Sequence, residues 1–109
     1  MNDSLSRLEA TIAARRAADP ATSYVARLSA TGREKIAQKV GEEAVETVIA
    51  ALSGDPAKLT AEAADLIFHL LMLLADGGVT LADVTAELDQ REGVSGLAEK
   101  AARRGNDMA

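Results

Sequence analysis

Lys35–Ala51, KIAQKVGEEAVETVIAA, and Glu62–Leu74, EAADLIFHLLMLL, are two runs of strong helix formers separated by the breakers Gly54 and Pro56. Asp55 is placed to cap the second run, and Pro56 suits its first turn, where a missing N–H costs nothing. The spacing predicts one helix from about Gly32 to Ser53 and another from Pro56 to about Asp76, ended by Gly77-Gly78. With so short a turn the two form an antiparallel hairpin, in which residues equidistant from the turn stand at the same height. Glu46 and Glu62 each lie eight residues from Gly54, and Glu43 and Asp65 each lie eleven. Within each helix the acids are spaced i, i+3 and share a face. A square of four carboxylates across the hairpin is the expectation.

On the first of these helices Lys35, Lys39, Glu42, Glu43 and Glu46 fall in one arc beside an apolar face of Ile36, Val40, Val45, Val48, Ile49 and Leu52. On the second, Glu62 and Asp65 share a stripe with His69, next to Leu59, Leu66, Leu70 and Leu73. The acids are thus expected to border the apolar seam between the helices. Four like charges so placed repel one another unless protons or a cation neutralise them. Hard oxygen donors favour Mg²⁺ or Mn²⁺ over zinc, and such an ion bridges substrate phosphates. Lys35 and Lys39 have two roles open to them: local pairing along the helix, as Lys39 with Glu43, or gripping phosphate oxygens. His69 on an apolar helix reads as a packed, hydrogen-bonded histidine before a ligand. Glu42 reads as solvated, yet stands near enough to serve a second metal or a water.

Outward from the hairpin the chain stays helical. Ser4–Ala18 carries Leu5, Leu8 and Ile12 at helical spacing and stops at Asp19-Pro20. Residues 21–31 are less regular, with Tyr24, Val25 and Leu28 as anchors. Thr80-Leu81-Ala82-Asp83 has the form of a capping box opening a helix to about Arg91. No alternating β pattern and no repeat is present. The expected architecture is an all-α bundle of four to five helices in a single domain over 1–109, with a core over about 4–91 and a charged tail over 92–109.

Composition narrows the function. Of 109 residues 23 are Ala, only 24 are Leu, Ile or Val, and Tyr24 and Phe68 are the only aromatics, so the large-side-chain core of one copy is thin. Leu66–Leu74 is apolar around its whole circumference, which calls for burial on every side. A bundle completed by a homodimer is therefore expected. A net charge of −5 and two aromatic rings argue against nucleic-acid partners. The absence of Cys excludes a thiol nucleophile, an iron–sulfur cluster and a thiolate zinc site, and the missing glycine-rich Walker loop excludes P-loop chemistry. The longest apolar run, Leu66–Ala75, is half the length a bilayer requires, so no membrane partner and a cytoplasmic location are expected.

KVGEEAVE and ADLIFHLL, with DPATSY upstream and GVTLADVTAELDQR downstream, closely resemble the phosphoribosyl-ATP pyrophosphatase family of histidine biosynthesis, over about residues 4 to 100. ExxE followed by ExxD marks the wider all-α nucleotide pyrophosphohydrolase (MazG-like) superfamily. The resemblance implies a hydrolase that splits 1-(5-phosphoribosyl)-ATP into 1-(5-phosphoribosyl)-AMP and pyrophosphate, the second step of histidine biosynthesis, with Mg²⁺ as cofactor. It carries the metal positions onto Glu43, Glu46, Glu62 and Asp65, and in that hydrolysis Glu46 or Glu43 is the candidate to accept the proton of the attacking water. Val25 stands where Thr is frequent and Phe68 where Tyr is frequent, so two hydroxyls are absent. A nucleoside triphosphate pyrophosphatase of the same superfamily, or a helical dimerisation module with solvated acids, would share many of these features; cation binding and substrate choice separate them.

Overall fold

In a computed structural model the described residues are 3–92, Lys100 and Arg103, and they are all-α. The helices are α1 (Ser4–Arg15), α2 (Tyr24–Thr31), α3 (Arg33–Ser53), α4 (Pro56–Asp76) and α5 (Leu81–Arg91). The α3–α4 hairpin is built as its turn chemistry requires. Gly54 closes α3 in the left-handed region at φ 79°, and the Asp55 side chain accepts from the Ala57 N–H at 3.0 Å. Its register is centred on that turn. Thr47 Oγ1 donates across to the Glu62 carbonyl at 3.2 Å, and at the far end Arg33 Nε reaches Asp76 Oδ2 at 2.7 Å.

α1 and α2 pack over the far end of the hairpin only. There Ile12, Val25, Leu28, Ile36, Leu71 and Met72 form the buried core, with Leu8, Phe68, Leu74 and Leu81 against it. Each such side chain contributes about 1.5–3 kcal/mol by leaving water. Val25 lies wholly inside this cluster, where a hydroxyl would lack water. Arg16 and Arg33 close the end by binding the last carbonyls and the Asp76 carboxylate of α4, where cations suit the helix dipole. α5 opens with the expected capping box, Thr80 Oγ1 accepting from Asp83 N–H at 3.0 Å and Asp83 Oδ2 from Thr80 N–H at 2.9 Å.

Three expectations need correction. α1 ends at Arg15, three residues before Ala18, because Asp19 draws the chain into a turn: its carbonyl accepts from Thr22 and Ser23, and its carboxylate from Ala21. The irregular stretch contains a full helix, α2, started by Ser23, whose hydroxyl accepts from Ala26 N–H. The apolar face drawn for α3 splits. Ile36 is buried and Val40 half-buried, but Val45, Val48, Ile49 and Leu52 are 57–84% exposed, because α3 turns its Glu43–Thr47–Ala50 stripe toward α4. Within one chain α4 is covered on one side, and Ile67 and Leu70 are each 41% exposed. The expected tail falls, apart from Glu92, Lys100 and Arg103, outside the described residues.

Candidate active site

Ile36, Val40, Glu43, Thr47 and Ala50 recur at three- and four-residue intervals, so one stripe of α3 faces the hairpin partner. Glu43 is therefore not at the border of the seam but within it, 7% exposed. Small Ala50 and hydroxylated Thr47 keep that seam narrow; Thr47 Oγ1 sits 2.7 Å from the Glu43 carbonyl as well as reaching across to α4. Opposite stand half-buried Glu62 and exposed Asp65. One carboxylate oxygen from each of Glu43, Glu62 and Asp65 lies within 4.8 Å of the others. Glu46, the fourth acid of the expected square, is exposed and flanks this group, near enough to act on Glu43 and Glu62 but outside the tight cluster.

The group is short of positive charge. Glu43 Oε2 and Glu62 Oε2 are buried without a hydrogen-bond partner, a costly state for a carboxylate oxygen. Burial, then the neighbouring Glu46 carboxylate, pushes the Glu43 pKa up, while His69 and Lys39 pull it back in part. Burial also raises that of Glu62, reinforced by Glu46, Asp65 and Glu43. Converging hard oxygens, two of them orphaned, fit a divalent cation such as Mg²⁺.

Lys39 Nζ stands 3.7 Å from both Glu42 Oε2 and Glu43 Oε1, so without ligand it takes the local pairing role. Burial disfavours its ammonium but is outweighed by the Tyr24 phenol and by Glu42, Glu43 and Glu46, and its pKa is raised. Glu42 is lowered first by the hydrogen bond from Gln38 Nε2 at 2.7 Å and then, against some desolvation, by Lys39 and Lys35. Lys35 is exposed one turn earlier, outside the cluster. His69 is buried and fully hydrogen-bonded, with Nδ1 2.8 Å from the Asp65 carbonyl and Nε2 2.8 Å from the Tyr24 hydroxyl.

Sequence reasoning treated Tyr24 only as a packing anchor. The usable signal was Ser23, whose capping role places Tyr24 in the first turn of α2, facing the one His of the chain. A depression of about 340 Å³ lined by Glu46, Ile49, Ala50, Ser53, Lys58 and Glu62 leads from the acids toward the turn. A larger groove, about 920 Å³, lies among α1, α2 and the α4–α5 connection. It is alanine-rich, and its charged residues are committed, Glu9 to the Leu81 N–H at 2.6 Å and Arg16 to the end of α4. Of the two spaces, only the smaller is lined by acids of the carboxylate group, Glu46 and Glu62.

Residues 5–92 match the family described as phosphoribosyl-ATP pyrophosphohydrolase. A phosphoribosyl-ATP pyrophosphatase from Rhizorhabdus wittichii is 71% identical over 103 residues, covering 94% of this chain and 97% of that protein. Proteins of the same name from Erythrobacter litoralis and Novosphingobium aromaticivorans are 67% and 66% identical, the alignments covering 93% and 91% of this chain and 97% and 92% of theirs. The all-α hairpin with its acids, the family match over residues 5–92 and these identities lead to one conclusion: the chain is a hydrolase that belongs to the phosphoribosyl-ATP pyrophosphohydrolase family.

Proposed function

We propose that this chain hydrolyses 1-(5-phosphoribosyl)-ATP to 1-(5-phosphoribosyl)-AMP and pyrophosphate, the second step of histidine biosynthesis. The observation that carries the reading is the convergence of Glu43, Glu62 and Asp65, with two orphaned oxygens, inside the stretch matched by the family. Glu43, Glu62 and Asp65, with Glu46 beside them, would hold Mg²⁺, with Mn²⁺ as its substitute. Such an ion, when bound, neutralises phosphate charge and makes a water more acidic. Glu46 stands outside the tight group and is free to accept the proton of the attacking water, with Glu43 the alternative acceptor. As the new oxygen–phosphorus bond forms, the anhydride bond breaks and pyrophosphate leaves. Lys39 can exchange its carboxylate partners for phosphate oxygens, and exposed Lys35 extends that positive edge.

A homodimer in the cytoplasm completes the proposal. No single helix among the described residues is long and apolar enough to cross a membrane. The bare faces of Val45, Val48, Ile49 and Leu52 on α3, and of Ile67 and Leu70 on α4, are the kind of surface a second copy covers. Pyrophosphate release from phosphoribosyl-ATP, compared with ATP and other triphosphates with and without Mg²⁺, tests the reaction. Equal or faster turnover of ordinary triphosphates would overturn the substrate assignment. Sedimentation tests the assembly: a folded 11.3 kDa species unchanged on dilution would remove the dimer.

A further inference from the structure

The reaction as described makes no use of Tyr24 and His69, the best-defined polar couple beside the acids. The Asp65 carbonyl can only accept, so His69 Nδ1, 2.8 Å away, carries the hydrogen. In the neutral imidazole Nε2 is then an acceptor, and the Tyr24 hydroxyl at 2.8 Å must donate to it. With its only hydrogen committed, Tyr24 Oη offers lone pairs alone. Such an oxygen repels phosphate and takes a hydrogen-bond donor.

Its position is over-determined. Ser23 caps the helix start beneath it, and the Asp19 turn holds Ser23. Phe68 packs on the Tyr24 ring at 6.0 Å between centroids and on the His69 ring at 5.2 Å. His69 is buried, whereas Tyr24 is 44% exposed. His69 hangs from the backbone of Asp65, one of the clustered acids, and Tyr24 neighbours Lys39, which pairs with Glu43. The hydroxyl thus stands one side chain away from Asp65 and beside Lys39, an oriented acceptor next to a cation that can take phosphate oxygens. In a phosphoribosyl nucleotide the donors nearest the phosphates are ribose hydroxyls.

We propose that Tyr24 binds a ribose hydroxyl of the substrate through its phenolic oxygen, and that His69 is the positioning residue that fixes that oxygen as an acceptor. The inference rests on the proposed reaction. Its test is Tyr24→Phe and His69→Gln, alone and combined, measured as kcat and KM for phosphoribosyl-ATP at saturating Mg²⁺, with Mn²⁺ affinity by electron paramagnetic resonance. Losing one neutral hydrogen bond should raise KM about three- to tenfold in Tyr24→Phe, with kcat and Mn²⁺ affinity little changed. His69→Gln should raise KM similarly, and the double variant should be no worse than the worse single one. An unchanged KM in Tyr24→Phe, multiplying effects in the double variant, or Mn²⁺ affinity falling in step with activity would each overturn the proposal. Should His69→Gln fail to fold, Tyr24→Phe alone decides. A wild type inactive on phosphoribosyl-ATP removes the reaction and this inference together; an active wild type with an indifferent Tyr24→Phe removes this inference alone.

Discussion

The two ends of the α3–α4 hairpin are built on opposite principles. At the Arg33–Asp76 end, α1 and α2 cover the helices, large side chains fill the interior, and two arginines seal the last carbonyls. At the Gly54 end none of the described residues outside the hairpin covers the pair, and Val48, Ile49 and Leu52 face outward. The carboxylates stand between the two, where the closed core stops. Ile36 and Met72, paired in height about the turn, are fully buried; a few turns nearer Gly54 the same stripe carries Glu43. Charge thus enters the seam only beyond the closed core, beside exposed Asp65 and Glu46, and the large buried side chains lie away from the acids.

The largest effect expected from this contrast comes from placing one charge at each end. Leu71→Glu buries an unpaired carboxylate in the closed core, at a cost comparable to a domain's whole stability of about 5–15 kcal/mol, and should give unfolded or aggregated protein by circular dichroism. Ile49→Glu, at a 63% exposed site, should keep helicity and a cooperative melt while lowering the sedimenting mass. Equal damage from the two would erase the distinction between the ends.

Next come the acids at the boundary. Glu43→Gln, Glu46→Gln, Glu62→Gln and Asp65→Asn should each lower turnover by about a hundredfold or more. Metal-free melting temperatures should hold or rise, because each change relieves like-charge repulsion. If all four variants melt below wild type without metal, the acids are structural.

A smaller effect follows from pH. The pKa values of Glu43 and Glu62 are raised in the folded chain, so folding takes up protons wherever the pH lies between the ordinary value of 4.5 and the folded one. Metal-free melting temperature should therefore climb by a few degrees as pH falls from neutrality, and stop climbing below about 4.5. Saturating Mg²⁺ should flatten that slope, since a bound cation favours the charged carboxylates. Calorimetry at several pH values, with and without the ion, reads both. The smallest effect belongs to Gly41, in the interior of α3 with nothing within 4 Å of an added Cβ. Gly41→Ala should stabilise the chain by about 0.5–1 kcal/mol in chemical denaturation, through helix propensity alone.

Much of this molecule is legible in one dimension because its decisive signals are local. Breakers and caps at Ser53–Pro56, Gly77-Gly78 and Thr80–Asp83 placed three helices and the hairpin turn. Equal offsets from Gly54 then placed Glu43, Glu46, Glu62 and Asp65 at matching heights, since an antiparallel pair leaves no other register. α2 was harder to read because its start depends on Ser23 accepting from Ala26 after a turn held by Asp19, and its apolar residues gain their partners only from α1, α3 and α4.

What the sequence by itself determined was the all-α class, the hairpin and the height of each acid along it, all consequences of helical rise and turn position. Tertiary structure alone decided the azimuth. Packing Thr47 and Ala50 against α4 rotated Glu43 into the seam, turned Val45, Val48, Ile49 and Leu52 outward, and left Glu46 flanking instead of inside the group. It also joined Tyr24 to His69, 45 positions apart in the chain. Helix rotation is set by which side chains allow the closest approach between neighbours, a property of the pair of surfaces that neither helix's periodicity contains.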